Sequence, residues 1–314
     1  MEPACECNSV WFQDVATVDG SPISAMAYPS YPSEGFASPT LSQFFGPLAS
    51  SSNLTASYQK VRADITGLCT TCATMPIFVN EYNAGPGAAP SSLGGSYANA
   101  VFLAASVTQA LRANVSQLTI FNLQTGSATA GYALLSASSA PETTGTLFSQ
   151  VLSHLAVGTV LGGGVHSSLP DAWSVVTRNA SAESLLVANT NLTNSVNVST
   201  AGSFLAAAAG ASYQWSPSMN RPTASIGPLA GSYTVAAQGI LLLTILPHSV
   251  GLGGGPVPRQ TLPSSSLTYI PNGNSVHLAP PPGFPGAGNR AVVAPSTLGR
   301  LDRGSDTPVA RLAV

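Results

Sequence analysis

A change of rhythm near residue 160 constrains this chain more than any single motif. Upstream, apolar strands alternate with helical patterns; downstream, short strands follow one another with only turn residues between them. The upstream series begins with a strand at Ile23 to Tyr28, ended by Pro29 and Pro32. Residues 40–68 read as helical, broken at Pro47 and a Ser-rich linker, with Tyr58, Val61, Ile65 and Leu68 on one amphipathic face. A strand from Ile77 to Asn80 follows, then a helix over 96–113, apolar almost all round until Arg112, which predicts burial on more than one side. A strand over 117–123 and a helix from Thr144 to Val157 complete the run. Such β-α-β-α-β-α alternation predicts a parallel sheet with crossover helices.

The downstream series has six short strands: Trp173 to Thr177, Ser184 to Ala188, Val196 to Ser199, Ala211 to Trp215, Ser232 to Ala236 and Ile240 to Ile245. Their spacing predicts an antiparallel β-sandwich domain over 170–247. Residues 251–314 hold ten Pro and ten Gly and keep no helical or strand period, so this tail is expected to be disordered.

Charge is scarce, at 7% of residues against about 25% in ordinary globular proteins. The chain has a net charge of −2, which favours neither nucleic acid nor an anionic membrane as partner. Residues 1–250 carry ten acids and five bases; the tail carries two acids and five arginines. The amino terminus lacks the basic and apolar regions of a signal peptide, and no run reaches membrane-spanning length. Ser, Thr, Ala, Asn and Gly take the surface role, a style that suits extracellular proteins.

The cysteines form two close pairs, Cys5/Cys7 and Cys69/Cys72. Neither spacing suits a four-ligand zinc site, so a loop disulfide or unpaired thiols are expected, with no metal and no cofactor. His154, His166, His248 and His277 share no ligand spacing, and the triple glycines at 162–164 and 253–255 lack the setting of a phosphate loop. Five Asn-x-Ser/Thr sequons occur, at Asn53, Asn114, Asn179, Asn191 and Asn197, in a chain rich enough in these residues to produce them by chance.

Against 12 acids in 314 residues, one position stands out. The run Ile77-Phe78-Val79-Asn80-Glu81-Tyr82-Asn83 delivers Glu81 from an apolar strand into a polar, Gly-rich loop. Catalytic groups of α/β barrels sit at this carboxyl edge. A structural reading competes, in which Glu81 caps the loop or pairs with Arg62 or Arg112.

The strand with Glu81, the helix 96–113, the strand 117–123 and the following β series together resemble the last third of a retaining (β/α)8-barrel glycoside hydrolase. The likeness is to the clan with two catalytic glutamates, and within it to family 39, 51 and 79 types with an appended β-sandwich. It covers about 20–247 and implies an α/β partial barrel of about strands 6–8 over 1–160, then the all-β sandwich and the disordered tail. It also implies Glu81 as the nucleophile at the end of barrel strand seven. Tyr28 and Tyr31, in the loop matching strand six, would orient it or line the sugar site. Asn83 and Gln124 would bind sugar hydroxyls. Asn80-Glu81 also matches the Asn-Glu pair of the clan's acid/base residue on strand four, but only one further βα unit follows, which suits the nucleophile better.

The resemblance implies a carbohydrate substrate and an extracellular parent family. Strands one to five and the acid/base glutamate have no counterpart, which implies a missing N-terminal barrel portion. The alternatives are a non-catalytic carbohydrate-binding module and an inactive gene fragment.

Overall fold

In the computed structural model, the described residues are 25–33, 39–50, 53–66, 70–85, 93–121, 123–124, 132–161, 171–200, 205, 208–218, 222–245, 267–269, 275–278 and 309–313. Strands β1 (Met26–Ser30), β2 (Ile77–Tyr82) and β3 (Gln117–Phe121) lie side by side and parallel. Helices α1 (Leu41–Ala49) and α2 (Leu54–Thr66) separate the first two strands, and α3 (Tyr97–Arg112) separates the next two. Helix α4 (Thr143–His154) then leads into the antiparallel part. The alternation read from the sequence is therefore present as a parallel βαβαβ segment.

Local chemistry explains the boundaries. Thr40 and Gln43 form a reciprocal capping box at the start of α1. Ser96 caps α3 by accepting from the Ala98 N–H. Strand β1 runs through Pro29 instead of ending there. Proline is tolerated on edge strands and at bulges, and Pro29 lies at both: β1 ends the strand order and its pairing with β2 shifts at this point. The 310 turn Thr70–Thr74 is held down by Arg62, whose Nη1 donates to the carbonyls of Cys72, Ala73 and Met75. Arg62 is thus occupied below β2, away from Glu81.

The antiparallel sheet has the order β4-β5-β6-β11-β8-β9. Its strands are β4 (Thr159–Val160), β5 (Ala172–Arg178), β6 (Glu183–Asn189), β8 (Ala209–Trp215), β9 (Thr223–Pro228) and β11 (Ile240–Ile245). A two-stranded ribbon of β7 (Val196–Ser199) and β10 (Ser232–Val235) accompanies it. One face of the large sheet, through Val175, Leu186, Ala188, Tyr213, Trp215, Ile240 and Leu242, joins the same core as α3 and α4. The other face, through Val176, Leu185, Val187, Leu241, Leu243 and Ile245, packs with Val198 and Val235 of the ribbon. All six residues of β11 are buried. A strand covered on both faces reads as a continuous apolar run, which is why Ile240 to Ile245 shows no alternation.

Helix α3 is the hinge of this packing. Every residue from Ala98 to Leu111 is buried, as its all-round apolar pattern predicts. Ser106 faces Tyr82 of β2 with 2.8 Å between the hydroxyls, and the Gln109 side chain joins the Leu48 carbonyl to the Leu54 N–H.

Three short strands occur where the sequence shows no strand period: β12 (Leu267–Tyr269), β13 (Ser275–Leu278) and β14 (Val309–Ala313). Strand β14 pairs antiparallel with β3 and continues the sheet. An open sheet edge offers unpaired backbone groups to any extended segment, which accounts for pairing without a sequence pattern. The remainder of the 251–314 tail lies outside the described residues.

Candidate functional site

Glu81 owes its orientation to one extra residue. Tyr28 and Pro29 of β1 pair with Val79 and Glu81, skipping Asn80. On the other side Leu118 and Ile120 of β3 pair with Val79 and Tyr82, again one residue over. The first register places a bulge between Val79 and Glu81, and the second places it between Val79 and Tyr82. Strict alternation would send Ile77, Val79 and Glu81 to one face. The bulge instead sends Tyr82 into the helix-side core with Ile77 and Val79, where all three are fully buried. Glu81 moves to the opposite face, partly exposed. Bulges of this kind re-aim side chains next to active sites.

On that face the Tyr31 hydroxyl donates to Glu81 Oε2 at 2.7 Å. The Tyr31 ring meets Phe121 of β3 edge to face, with centroids 6.0 Å apart. Gln117 and Thr119 share the same face of β3, the Gln117 amide donating to the Thr119 hydroxyl at 3.0 Å. The site is thus a carboxylate fixed by a phenol, beside an aromatic ring, at the carboxyl ends of parallel strands. An ionised carboxylate held by a charge-assisted hydrogen bond can act as nucleophile or base.

The other expected site residues take different places. Tyr28 is buried and points to the helix layer, 3.3 Å from the Ser57 hydroxyl; burial pushes its ionisation far above the ordinary range. It does not meet Glu81, because alternation along β1 turns it to the core. Asn83 is fully buried. Its amide donates to the carbonyls of Phe121 at 2.6 Å and Tyr132 at 3.0 Å, and its oxygen accepts the Ala84 N–H. These contacts tie the end of β2 to the end of β3 and to the loop that holds Tyr132. Gln124 donates to the Ser136 and Ala137 carbonyls and the Ser139 hydroxyl, tying the end of β3 to the loop beyond it.

A residue the sequence did not single out completes the rim. The Ser33 N–H donates to the Ala84 carbonyl and the Ser33 hydroxyl to the Phe44 carbonyl. Ser33, Ala84 and Asn83 therefore link the loops after β1, β2 and β3 in one hydrogen-bonded chain across the strand ends. Ser33 and Ala84 carry no sequence signal beyond proximity to strand termini.

Four other carboxylates lie among the described residues. Asp64 is on α2 and Glu142 is the N-cap of α4; Asp171 accepts from Asn191, and Glu183 pairs with Arg178. No group of three or more His, Cys, Asp or Glu that could hold a metal occurs among the described residues. Cys72 is disulfide-bonded, and Cys5, Cys7 and Cys69 lie outside the described residues.

No protein-family profile matches the sequence. No curated protein sequence matches it either. Solved structures do match. The family 51 α-L-arabinofuranosidase AbfB of Bifidobacterium longum superposes with a TM-score of 0.53 at 14% identity, covering 75% of this chain and 55% of that one. The family 51 arabinofuranosidase of Xanthomonas axonopodis pv. citri gives 0.52 at 14% identity, over 76% and 56%. A bifunctional glucanase-xylanase from a metagenome library gives 0.50 at 14% identity, over 71% and 43%. The chain thus spans about half the length of the structures it matches. It shares the fold of part of these glycoside hydrolases.

Proposed function

We propose that this chain is the carboxyl-terminal part of a retaining glycoside hydrolase, with Glu81 as the nucleophile and Tyr31 holding it in aim. The observation that carries the reading is the bulge at Asn80. It turns one carboxylate out of the core at the end of the middle parallel strand and into hydrogen-bond contact with a phenol. The shared fold supports it.

In retaining hydrolysis a carboxylate attacks the anomeric carbon as the leaving oxygen departs, and a second carboxyl group about 5–5.5 Å away protonates that oxygen and later activates water. Glu81 supplies the first group. The second would come from the βα units that complete the barrel, and the substrate would be a neutral oligosaccharide or polysaccharide. Asn83, Ser33 and Gln124 keep the rim loops in register, so the carboxylate stays within attacking geometry. The antiparallel sheet would be the appended β-sandwich of such enzymes, anchored through α3 and α4.

An activated substrate tests this without the second carboxyl group. A dinitrophenyl 2-deoxy-2-fluoroglycoside needs no protonation of its leaving group, so a lone nucleophile suffices to form the glycosyl ester. The full chain is expected to gain one fluorosugar mass on the Glu81 peptide, with no gain in Glu81→Gln. Azide, which needs no base, should release the adduct. An adduct on another residue, or none with xylosyl, arabinosyl and glucosyl donors alike, would remove the nucleophile assignment.

A further inference from the structure

We propose that Asn179 and Asn197, both on the antiparallel part, are acceptor sites for N-linked glycans. Asn179-Ala-Ser181 and Asn197-Val-Ser199 are sequons, and the fold presents both in the form a glycan requires. Asn179 opens the tight connection between β5 and β6, where Arg178, Ala180 and Ser181 are all exposed. Its Oδ1 accepts the N–H groups of Ser181 and Ala182, each at 2.8 Å, so the side-chain oxygen closes the turn. Asn197 lies on the outer face of the ribbon. Alternation along β7 buries Val198 against the large sheet and leaves Asn197 exposed, and its Oδ1 accepts the Thr234 hydroxyl at 2.9 Å.

In both residues the oxygen is engaged while Nδ2 makes no hydrogen bond among the described residues. That is the division of labour a glycosylated asparagine keeps. Nδ2 attacks C1 of an oligosaccharide activated as a lipid-linked diphosphate. The N–C1 bond forms, the C1–O bond to the diphosphate breaks, and one amide proton passes to base. Oδ1 remains an acceptor, so neither the turn nor the ribbon contact is lost. Asn191-Leu-Thr193 is the contrary case. Its Nδ2 donates to Asp171 Oδ2 at 3.0 Å while Oδ1 accepts the N–H groups of Thr193 and Asn194. A sugar there would press on the Asp171 contact. Asn53 and Asn114 sit at helix ends and are outside the proposal.

A second observation points to the same compartment. Cys72 is disulfide-bonded, and disulfides persist in oxidising surroundings such as the secretory lumen, where such glycans are attached. The proposal does not rest on the hydrolase reading.

The test is production of the full chain behind a cleavable leader in a eukaryotic secretory host. Peptide-N-glycosidase in 18O-labelled water then marks each formerly glycosylated Asn as labelled Asp. Labelled peptides are expected at 179 and 197, with Asn191 unlabelled. On a gel, Asn179→Gln and Asn197→Gln should each remove one glycan step, and the double variant both. The Cys72 disulfide, read in the same digest, verifies passage through the oxidising compartment. Unmodified Asn179 and Asn197 in disulfide-bonded chain would overturn the proposal, as would occupancy of Asn191 with both of them empty.

Discussion

The parallel and antiparallel sheets are covered differently, and the difference separates foundation from site. Between α3, α4 and the ribbon, the inner strands β6 and β11 of the antiparallel sheet are enclosed on both sides, and β11 has no polar face to offer. The parallel strands have one helix-covered face, with Ile77, Val79, Tyr82, Leu118 and Ile120, and an opposite face that holds Phe78, Glu81, Gln117 and Phe121, all partly exposed. A doubly covered sheet can supply only packing. A singly covered one leaves room for a carboxylate, and the Asn80 bulge brings Glu81 there at the cost of one unpaired residue.

Truncation on the two sheets gives the largest contrast. Leu242→Ala should cost about 2–5 kcal/mol, the range for a fully buried Leu. Phe78→Ala, on the half-open face, should cost about 1 kcal/mol, since only part of its area leaves water. Urea midpoints of the two variants measure the difference; equal losses would mean that the inner face of the parallel strands is covered as fully as the antiparallel sheet. Next comes Asn83→Ala, which strips a buried donor from the Phe121 and Tyr132 carbonyls and should cost about 1–3 kcal/mol. Tyr31→Phe should leave the urea midpoint almost unchanged and slow fluorosugar trapping by about 10–100-fold. A hydrogen bond to a charged group is worth about 1.5–3 kcal/mol. A change in stability with unchanged trapping would make Tyr31 a packing residue.

The sequence made the order of elements legible, because strand and helix periods differ and each is long enough to show. It also placed Glu81 at a strand end. It did not show the bulge, since an extra residue in a ladder leaves no mark on composition; read with strict alternation, Glu81 would share a face with Val79. Tyr28 and Tyr31 looked equivalent for the same reason, and only the path of β1 decides which one meets the carboxylate. Asn83 carried a polar signature but not its burial, which depends on carbonyls 38 and 49 residues away. Strand β9 escaped notice because five of its six residues are exposed and none forms an apolar rhythm.

The smallest expected effect probes the seam where the two regions meet. His154 ends α4, and its ring stacks on Tyr213 of β8 with centroids 4.1 Å apart and planes 8° from parallel. The Thr244 hydroxyl of β11 donates to the His154 carbonyl, and Trp215 Nε1 donates to Gln150 one turn earlier on α4. Burial favours the neutral imidazole and lowers the His154 pKa below its ordinary value of 6.5. The unfolded chain therefore binds a proton more readily than the folded one. Stability from this group is fully present above about pH 6.5 and declines as pH falls through the lowered folded-state value. His154→Phe keeps a ring on Tyr213 and removes the titration. Its urea midpoint should match the parent's pH dependence above about pH 7 and fall less steeply toward about pH 5. Trp215 fluorescence should register the loss in the parent, because its indole is bonded to the same helix. An equal decline in both proteins would mean that the seam is not where acid acts, and that the parallel segment yields first.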